Sequence, residues 1–396
     1  MTGRHLSIIL VLLALQARAQ GDAGVKFMAM NIEDVRASQV EQVSDLRLAR
    51  AAAIIQHLRP DVLLLNEVAY ESDAEAGANV AHNFVEHYLG TPMGGDLEAI
   101  QYQVFVAPSN TGMPSGFDLD NDGKVGKPGQ GRDYAGDCLG WGTFPGQYAM
   151  ALLVRPGIEI DRANVRTFRE FLWKDLPGAS LPTDPATGRS WYSDEELAVL
   201  PLSSKSHWDV PLVMPNGQRV HMLCSHPTPP VFDGAEDRNG KRNHDEIKFW
   251  NLYVNGAFSP TDDEGVAEPF DAKALFVIAG DLNADPERGD SFNNPARRFL
   301  LDEPRIASDP APTSVQRVER GTPTTTSSFG LRTDYVLPKA DPRWEIASNG
   351  VWRGPADSRA GDGALPKVIE MLGDRGVEFP SDHFPVWVEM RFVPDP

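Results

Sequence analysis

The chain has 396 residues, 41% of them hydrophobic and 23% charged, and its 37 basic and 56 acidic side chains leave a net charge of −19. This composition excludes a disordered or fibrous protein, and the length suffices for a large buried core in one elaborate domain or two ordinary ones. So acidic a surface weighs against binding long polyanions, which leans on a basic stripe, although a local field or a bound divalent ion in one cleft can oppose the net charge.

The chain opens with an apolar run, Leu6 to Leu15, behind Arg4 and His5, and Ala17-Arg18-Ala19 supplies small residues at the spacing a signal peptidase reads. Residues 1–19 are therefore expected to be a signal peptide and the protein secreted or periplasmic. The run is too short to span a bilayer comfortably, and no other stretch could cross a membrane. Its removal takes away two arginines and no acid, so 35 basic groups face 56 acidic ones, a net −21. An oxidising compartment makes a Cys138–Cys224 disulfide the expectation; otherwise Cys224, inside an apolar strand, is a small buried residue.

Val25 to Met30 reads as a strand ending at Asn31. Ser44 can cap a helix whose apolar positions Leu46, Ala49, Ala53, Ile54 and Leu58 recur at helical spacing, and Pro60 stops it. Val62 to Leu65 is the next strand and ends in Asn66-Glu67, so strand, helix and strand form a βαβ-like unit. Asn31 and Glu67 thus fall at one rim, a hard oxygen pair suited to Mg²⁺ or a similar ion; read alone, each is equally a turn former or a loop acid.

Asn79 to Leu89 is predicted helical and Tyr102 to Val106 extended. From about 109 to 147 the chain is rich in Gly and Asp with little periodicity, too long for an ordinary connection and so expected to be an ordered insertion. Within it, Asp118, Asp120 and Asp122, followed by Gly123, have the spacing of an EF-hand-type calcium loop. Gly129 stands where the loop's last acid is expected, and Asp133 or Asp137 could substitute for it. A structural Ca²⁺ in the 118–133 loop is the functional reading, a plain acidic turn the alternative.

Gln147 to Val154 and Arg219 to Cys224 are further strands. The second runs into Ser225-His226-Pro227, which can present an imidazole at the rim on a proline-stiffened loop. Arg238 to Asn243 is the most basic segment, and a helix is predicted from Asp245 to Val254; Arg242 and Asn243 before its N-terminus are candidate phosphate ligands. The apolar run Ala274 to Ala279 is a buried strand punctuated by Gly280, which places Asp281 and Asn283 where strand meets loop. A carboxylate and an amide so spaced can jointly hold one water; read alone, the pair is equally a strand-end turn. A helix near Asn294 to Leu301, a strand Arg332 to Leu337 carrying Asp334, and a last element from Ser381 to Phe392 opening with Asp382-His383 complete the chain.

Taken in order, Asn31, Glu67, His226, Asp281 with Asn283, Asp334, and Asp382 with His383 resemble the endonuclease/exonuclease/phosphatase superfamily of deoxyribonuclease I-like, metal-dependent phosphoesterases. Gly280-Asp281-Leu282-Asn283 and Ser381-Asp382-His383 are the most specific pieces, and the likeness spans nearly all of a domain placed at 25–393. The resemblance implies a four-layer α/β sandwich, with two mixed β-sheets face to face, helices outside and the site at one rim. It also implies roles. Glu67, Asn31 and Asp382 would hold a divalent metal (Mg or Mn, or Ca), Asp281 and Asn283 would orient and deprotonate water, and His383, steadied by Asp334, would contact the phosphate. His226, with Arg242 or Asn243, would stabilise phosphoryl oxygens. A monomeric phosphate-ester hydrolase is expected. A nuclease is possible but not favoured, and a silent calcium-stabilised binding module is the remaining alternative.

Overall fold

The computed structural model describes residues 24–71, 80–358, 364–372, 374 and 377–394. The signal-peptide segment, and Asn79 at the start of one predicted helix, lie outside the described residues. Among those described, no helix is long and apolar enough to cross a membrane.

Among the described residues, twelve strands form two six-stranded mixed sheets. The first contains β1 (Val25–Val35), β2 (Val62–Val68), β3 (Gln103–Phe105), β4 (Met150–Val154), β11 (Trp344–Val351) and β12 (Val386–Phe392), in the order β11-β12-β1-β2-β4-β3. The second contains β5 (Glu159–Ile160), β6 (Arg166–Thr167), β7 (His207–Val213), β8 (Arg219–Ser225), β9 (Leu275–Asp281) and β10 (Asp334–Pro338). Its order is β10-β9-β8-β7-β5, with β6 also on β7. Each sheet is antiparallel except for one central parallel pair, β1–β2 and β8–β9.

Period-two alternation builds the layers. Phe27 and Ala29 of β1 face the inter-sheet core with Val277 and Ala279 of β9, while Met28 and Met30 turn outward. That outer face is covered by α1 (Leu46–Leu58), whose Ala51, Ala52, Ile54 and Ile55 are fully buried. On the other side Phe276 and Ile278 pack under α2 (Arg238–Val254), against Ile247, Trp250 and Tyr253. Helix, sheet, sheet and helix thus make the expected sandwich.

Several local expectations change. Asp45, not Ser44, caps α1, its carboxylate accepting from Arg47 N and Leu48 N. β1 runs on to Val35 through a break in its pairing with β2 after Asn31. α2 begins at Arg238, so the basic segment forms its first turns. The predicted helix near 294–301 is a single π-helical turn, Ala296–Leu301.

The cysteines are unpaired, contrary to expectation. Cys224 sits in the inter-sheet core, whereas Cys138 lies just past the short helix Arg132–Gly136 of the insertion and donates to Tyr134 O. Burial pushes the Cys138 thiol up to about 11 and Cys224 higher still. Residues 109–147 are tied down by backbone-directed side chains: Asn110 Nδ2 donates to Arg169 O and Ser203 O, and Tyr134 Oη to Gly112 O.

Candidate active site

Both parallel pairs end at the same rim. Asn31 stands where the pairing of β1 with β2 breaks, Glu67 one residue before the end of β2, His226 just past β8, and Asp281 closes β9. The antiparallel partners begin there, with Asp334 paired in register with Asp281 and His383 in the turn that leads into β12. These residues border a cleft of about 870 Å³, lined by Glu67, His226, Asp281, Asn283, Asp382 and His383 among others. That is the size of an ordinary small-molecule site.

Close approach of the strands is built in at Gly280. Its φ is +148°, and a Cβ there would lie 1.9 Å from Ser225 O, so a side chain would push β9 away from β8. Glu67 also has a left-handed backbone, φ 67°, a conformation that costs a non-glycine residue about 1 kcal/mol or more and gathers at functional sites.

Asn31 links the two sheets. Its Nδ2 donates to Glu67 Oε1 at 2.9 Å and to Asp281 Oδ2 at 3.1 Å, while its Oδ1 accepts from Glu33 N. The amide therefore bridges the two carboxylates through its nitrogen. Ser381 Oγ donates to Asn31 O and accepts from His383 N, tying the last loop to the first strand.

His383 Nδ1 lies 2.8 Å from Asp334 Oδ2, and its Nε2 is 3.6 Å from Asp281 Oδ2 and 3.8 Å from Asp382 Oδ1. Burial opposes charge on this ring, but Asp334 and Asp281 outweigh it and raise His383 well above its ordinary value. His226 is the reverse case. Its Nε2 is 3.5 Å from Asp281 Oδ2, and burial, with Lys205 and His383 nearby, pushes it well below its ordinary value against a Tyr148 backbone hydrogen bond. One imidazole is held cationic and the other neutral, a split that separates acid from base work.

Burial pushes the Asp281 carboxyl up to about 7, aided by Asp334 and opposed by cationic His383 and the Asn283 and Asn31 hydrogen bonds. Asn283, in a left-handed conformation, donates its backbone N–H to Asp281 Oδ1 and its Nδ2 to Pro227 O. Its Oδ1 has no partner among the described residues.

Glu67, Asp281 and Asp382 bring three carboxylates to the cleft, and burial raises Glu67. A surplus of hard oxygen donors fits a divalent ion of the Mg or Mn type. Asp281, Asp334 and His383 also converge, with atoms within 4.8 Å of one another. There the contact is already made by the imidazole–carboxylate pair, which leaves His383 Nδ1 no lone pair for a metal.

Arg242 and Asn243, expected at the phosphate, serve the scaffold instead. Arg242 is 9% exposed, and its Nε and Nη2 donate to the carbonyls of Leu202, Leu139 and Pro201. Asn243 Nδ2 donates to Thr228 O and Leu282 O, stapling the His226 loop to the end of β9. The acidic loop is corrected too: Asp118 and Asp120 converge with Asp137, not Asp122. Asp122 turns away to accept from Lys124 N, while Asp137 takes Leu119 N and Gly126 N.

Two residues at the site gave no sequence signal of their role. Asn66 Oδ1 accepts from Asp281 N, fixing the carboxylate's backbone across the sheets; only its place at a strand end hinted at this. Lys205 is 6% exposed and lines the cleft. Burial lowers it against the pull of Glu246, Glu67 and Asp281; in sequence it is an ordinary lysine in a polar run.

Strand-end carboxylates, an amide bridge and a charged imidazole at one end of a two-sheet sandwich define a hydrolase that works on phosphate esters. The profile of the Endonuclease/Exonuclease/phosphatase family matches residues 42–383, and the chain belongs to that family of hydrolytic phosphoesterases. Among solved structures, an endonuclease/exonuclease/phosphatase from Beutenbergia cavernae DSM 12333 is 16% identical, with 93% of this chain and 72% of that one covered and a TM-score of 0.47. The human Nocturnin catalytic domain with bound sulfate anion is 15% identical, with 94% of each chain covered and a TM-score of 0.45. A family protein from Leptotrichia buccalis C-1013-b is 14% identical, with 93% and 100% covered and a TM-score of 0.46. No curated protein matches the chain.

Proposed function

We propose a secreted, divalent-metal-dependent phosphoesterase that hydrolyses small or exposed phosphate esters by in-line attack of water. The observation that carries this reading is the buried Asp281 set between Asn31, Asn283 and the Asp334–His383 pair. Water held between Asp281 and the free Oδ1 of Asn283 gives its proton to Asp281 as its oxygen bonds to phosphorus. The opposite P–O bond breaks, and its electron pair leaves on the ester oxygen. His383, cationic through Asp334, donates to the phosphoryl oxygens on which charge builds. A divalent ion on Glu67 and Asp382 would supply further charge neutralisation and a more acidic water.

Small esters are favoured over extended nucleic acid because two of the cleft arginines are already engaged. Arg238 pairs with Glu236, and Arg288 donates to Gly330 O and pairs with Asp285. A nuclease would instead degrade plasmid DNA faster than nitrophenyl phosphate esters. Asp281→Ala and His383→Ala, assayed on phosphomonoesters, diesters and DNA with several divalent ions, should each lose about 10²-fold or more in kcat. Wild-type-like hydrolysis by both variants rejects the site, and activity that survives chelation rejects the metal. The Asp118, Asp120 and Asp137 cluster is proposed as a structural calcium site that holds the insertion against the cleft.

A further inference from the structure

We propose that Lys205 is a substrate-binding residue that receives the third non-bridging oxygen of a terminal phosphate, which makes phosphomonoester dianions the preferred substrates. This rests on the phosphoesterase reading above and narrows it.

The segment before β7, Ser203 to Ser206, is buried throughout, and Asn110 N donates to Lys205 O, so the backbone is fixed. The side chain ends in the cleft that holds Glu67, His226, Asp281 and His383. An ammonium carries three donors. Here the hydrogen bond among the described residues is one long contact, Nζ to Pro227 O at 3.4 Å.

The carboxylate of Glu246, which pulls on Lys205, is already committed to other donors. Glu246 Oε1 accepts from Ser204 N and Ser204 Oγ, and Oε2 from Thr228 N at 2.6 Å. No described carboxylate lies within ion-pair distance of Lys205. A buried charge without a partner is unfavourable, and a methionine would fill the same volume without that cost. The adjoining loop has the same unfinished character: among the described residues Thr228 Oγ1 is buried without a partner, and Thr228 and His226 line the same cleft. Unspent donors thus gather at the Pro227 loop. The group that completes them is an anion that enters from the cleft.

Charge chooses the anion. A diester presents two non-bridging oxygens and one negative charge, which a cationic His383 and a divalent ion satisfy. A monoester presents three oxygens and two charges, and the additional oxygen calls for another cation. An ester carbon at that corner would cover the ammonium without pairing it.

The test compares wild type with Lys205→Met and Lys205→Arg on 4-nitrophenyl phosphate and bis(4-nitrophenyl) phosphate, alongside calorimetric titration with inorganic phosphate. Losing a charged hydrogen bond in a buried site should cut the monoester-to-diester ratio of kcat/KM by about 10- to 100-fold in Lys205→Met, and weaken phosphate binding comparably. Lys205→Arg should restore most of both, and Lys205→Met should melt no lower than wild type. Equal losses on the two esters, unchanged phosphate affinity, or a lowered melting temperature without a change in the ratio would each overturn the proposal. If wild type hydrolyses neither ester, the phosphoesterase reading fails by itself, and the phosphate titrations still decide the role of Lys205.

Discussion

At the scale of single residues, the site works by giving chemically similar groups opposite charge states. His383 and His226 both face Asp281 at about the same distance, yet Asp334 keeps the first cationic and burial keeps the second neutral. Asp334→Asn should release His383. Because its folded-state value is raised above 6.5, the pair's stabilising effect is complete below that unfolded value and disappears as pH rises through the folded one. The melting-temperature gap between wild type and Asp334→Asn should therefore be wide at pH 6 and close in alkaline solution. In rate profiles the alkaline limb should move to lower pH in the variant; an unmoved limb would show that another group sets it. If Asp281 is the base proposed above, the acid limb should fall near pH 7, where burial places its carboxyl, with the coupled groups titrating as a set.

At the scale of elements, strand ends carry the chemistry, and how closely the strands approach decides whether they can. Gly280→Ala would place a methyl carbon 1.9 Å from Ser225 O. We expect a loss of about 1–3 kcal/mol in denaturant unfolding together with a large fall in kcat, since Asp281 is the next residue. In the insertion, Asp137→Asn should lower the melting temperature measured in calcium more than Asp122→Ala, because Asp137 is in the converging cluster and Asp122 is outside it; equal effects would remove calcium from the account. Strand-end residues were legible in the sequence because Gly280, Pro227 and the Asn66-Glu67 step punctuate apolar runs. The true start of α2 was not. Arg238 to Asn243 reads as polar loop, and only tertiary contacts make Asn243 and Arg242 interior residues of a helix. Lys205 was invisible for a similar reason: nothing local distinguishes a buried lysine from a solvated one. The expected disulfide failed on geometry, one cysteine belonging to the inter-sheet core and the other to the insertion.

At the scale of the molecule, a net charge of −19 surrounds a cleft proposed to bind phosphate esters. Long-range repulsion slows the approach of a phosphate ester, and salt screens it. Raising NaCl from about 50 to 200 mM should leave kcat/KM for a small monoester unchanged or higher, whereas a binder of extended nucleic acid loses affinity steeply over that range. A steep fall would favour the nuclease.

The order of strands has a consequence for truncated chains. Among the described residues β12 follows every other strand in sequence, yet it lies between β11 and β1 inside the first sheet, and the loop before it delivers Asp382 and His383. Without that strand β1 and β11 expose open edges and the loop carrying His383 has no anchor. On the phosphoesterase reading proposed above, a chain truncated before residue 381 should therefore be inert towards phosphate esters.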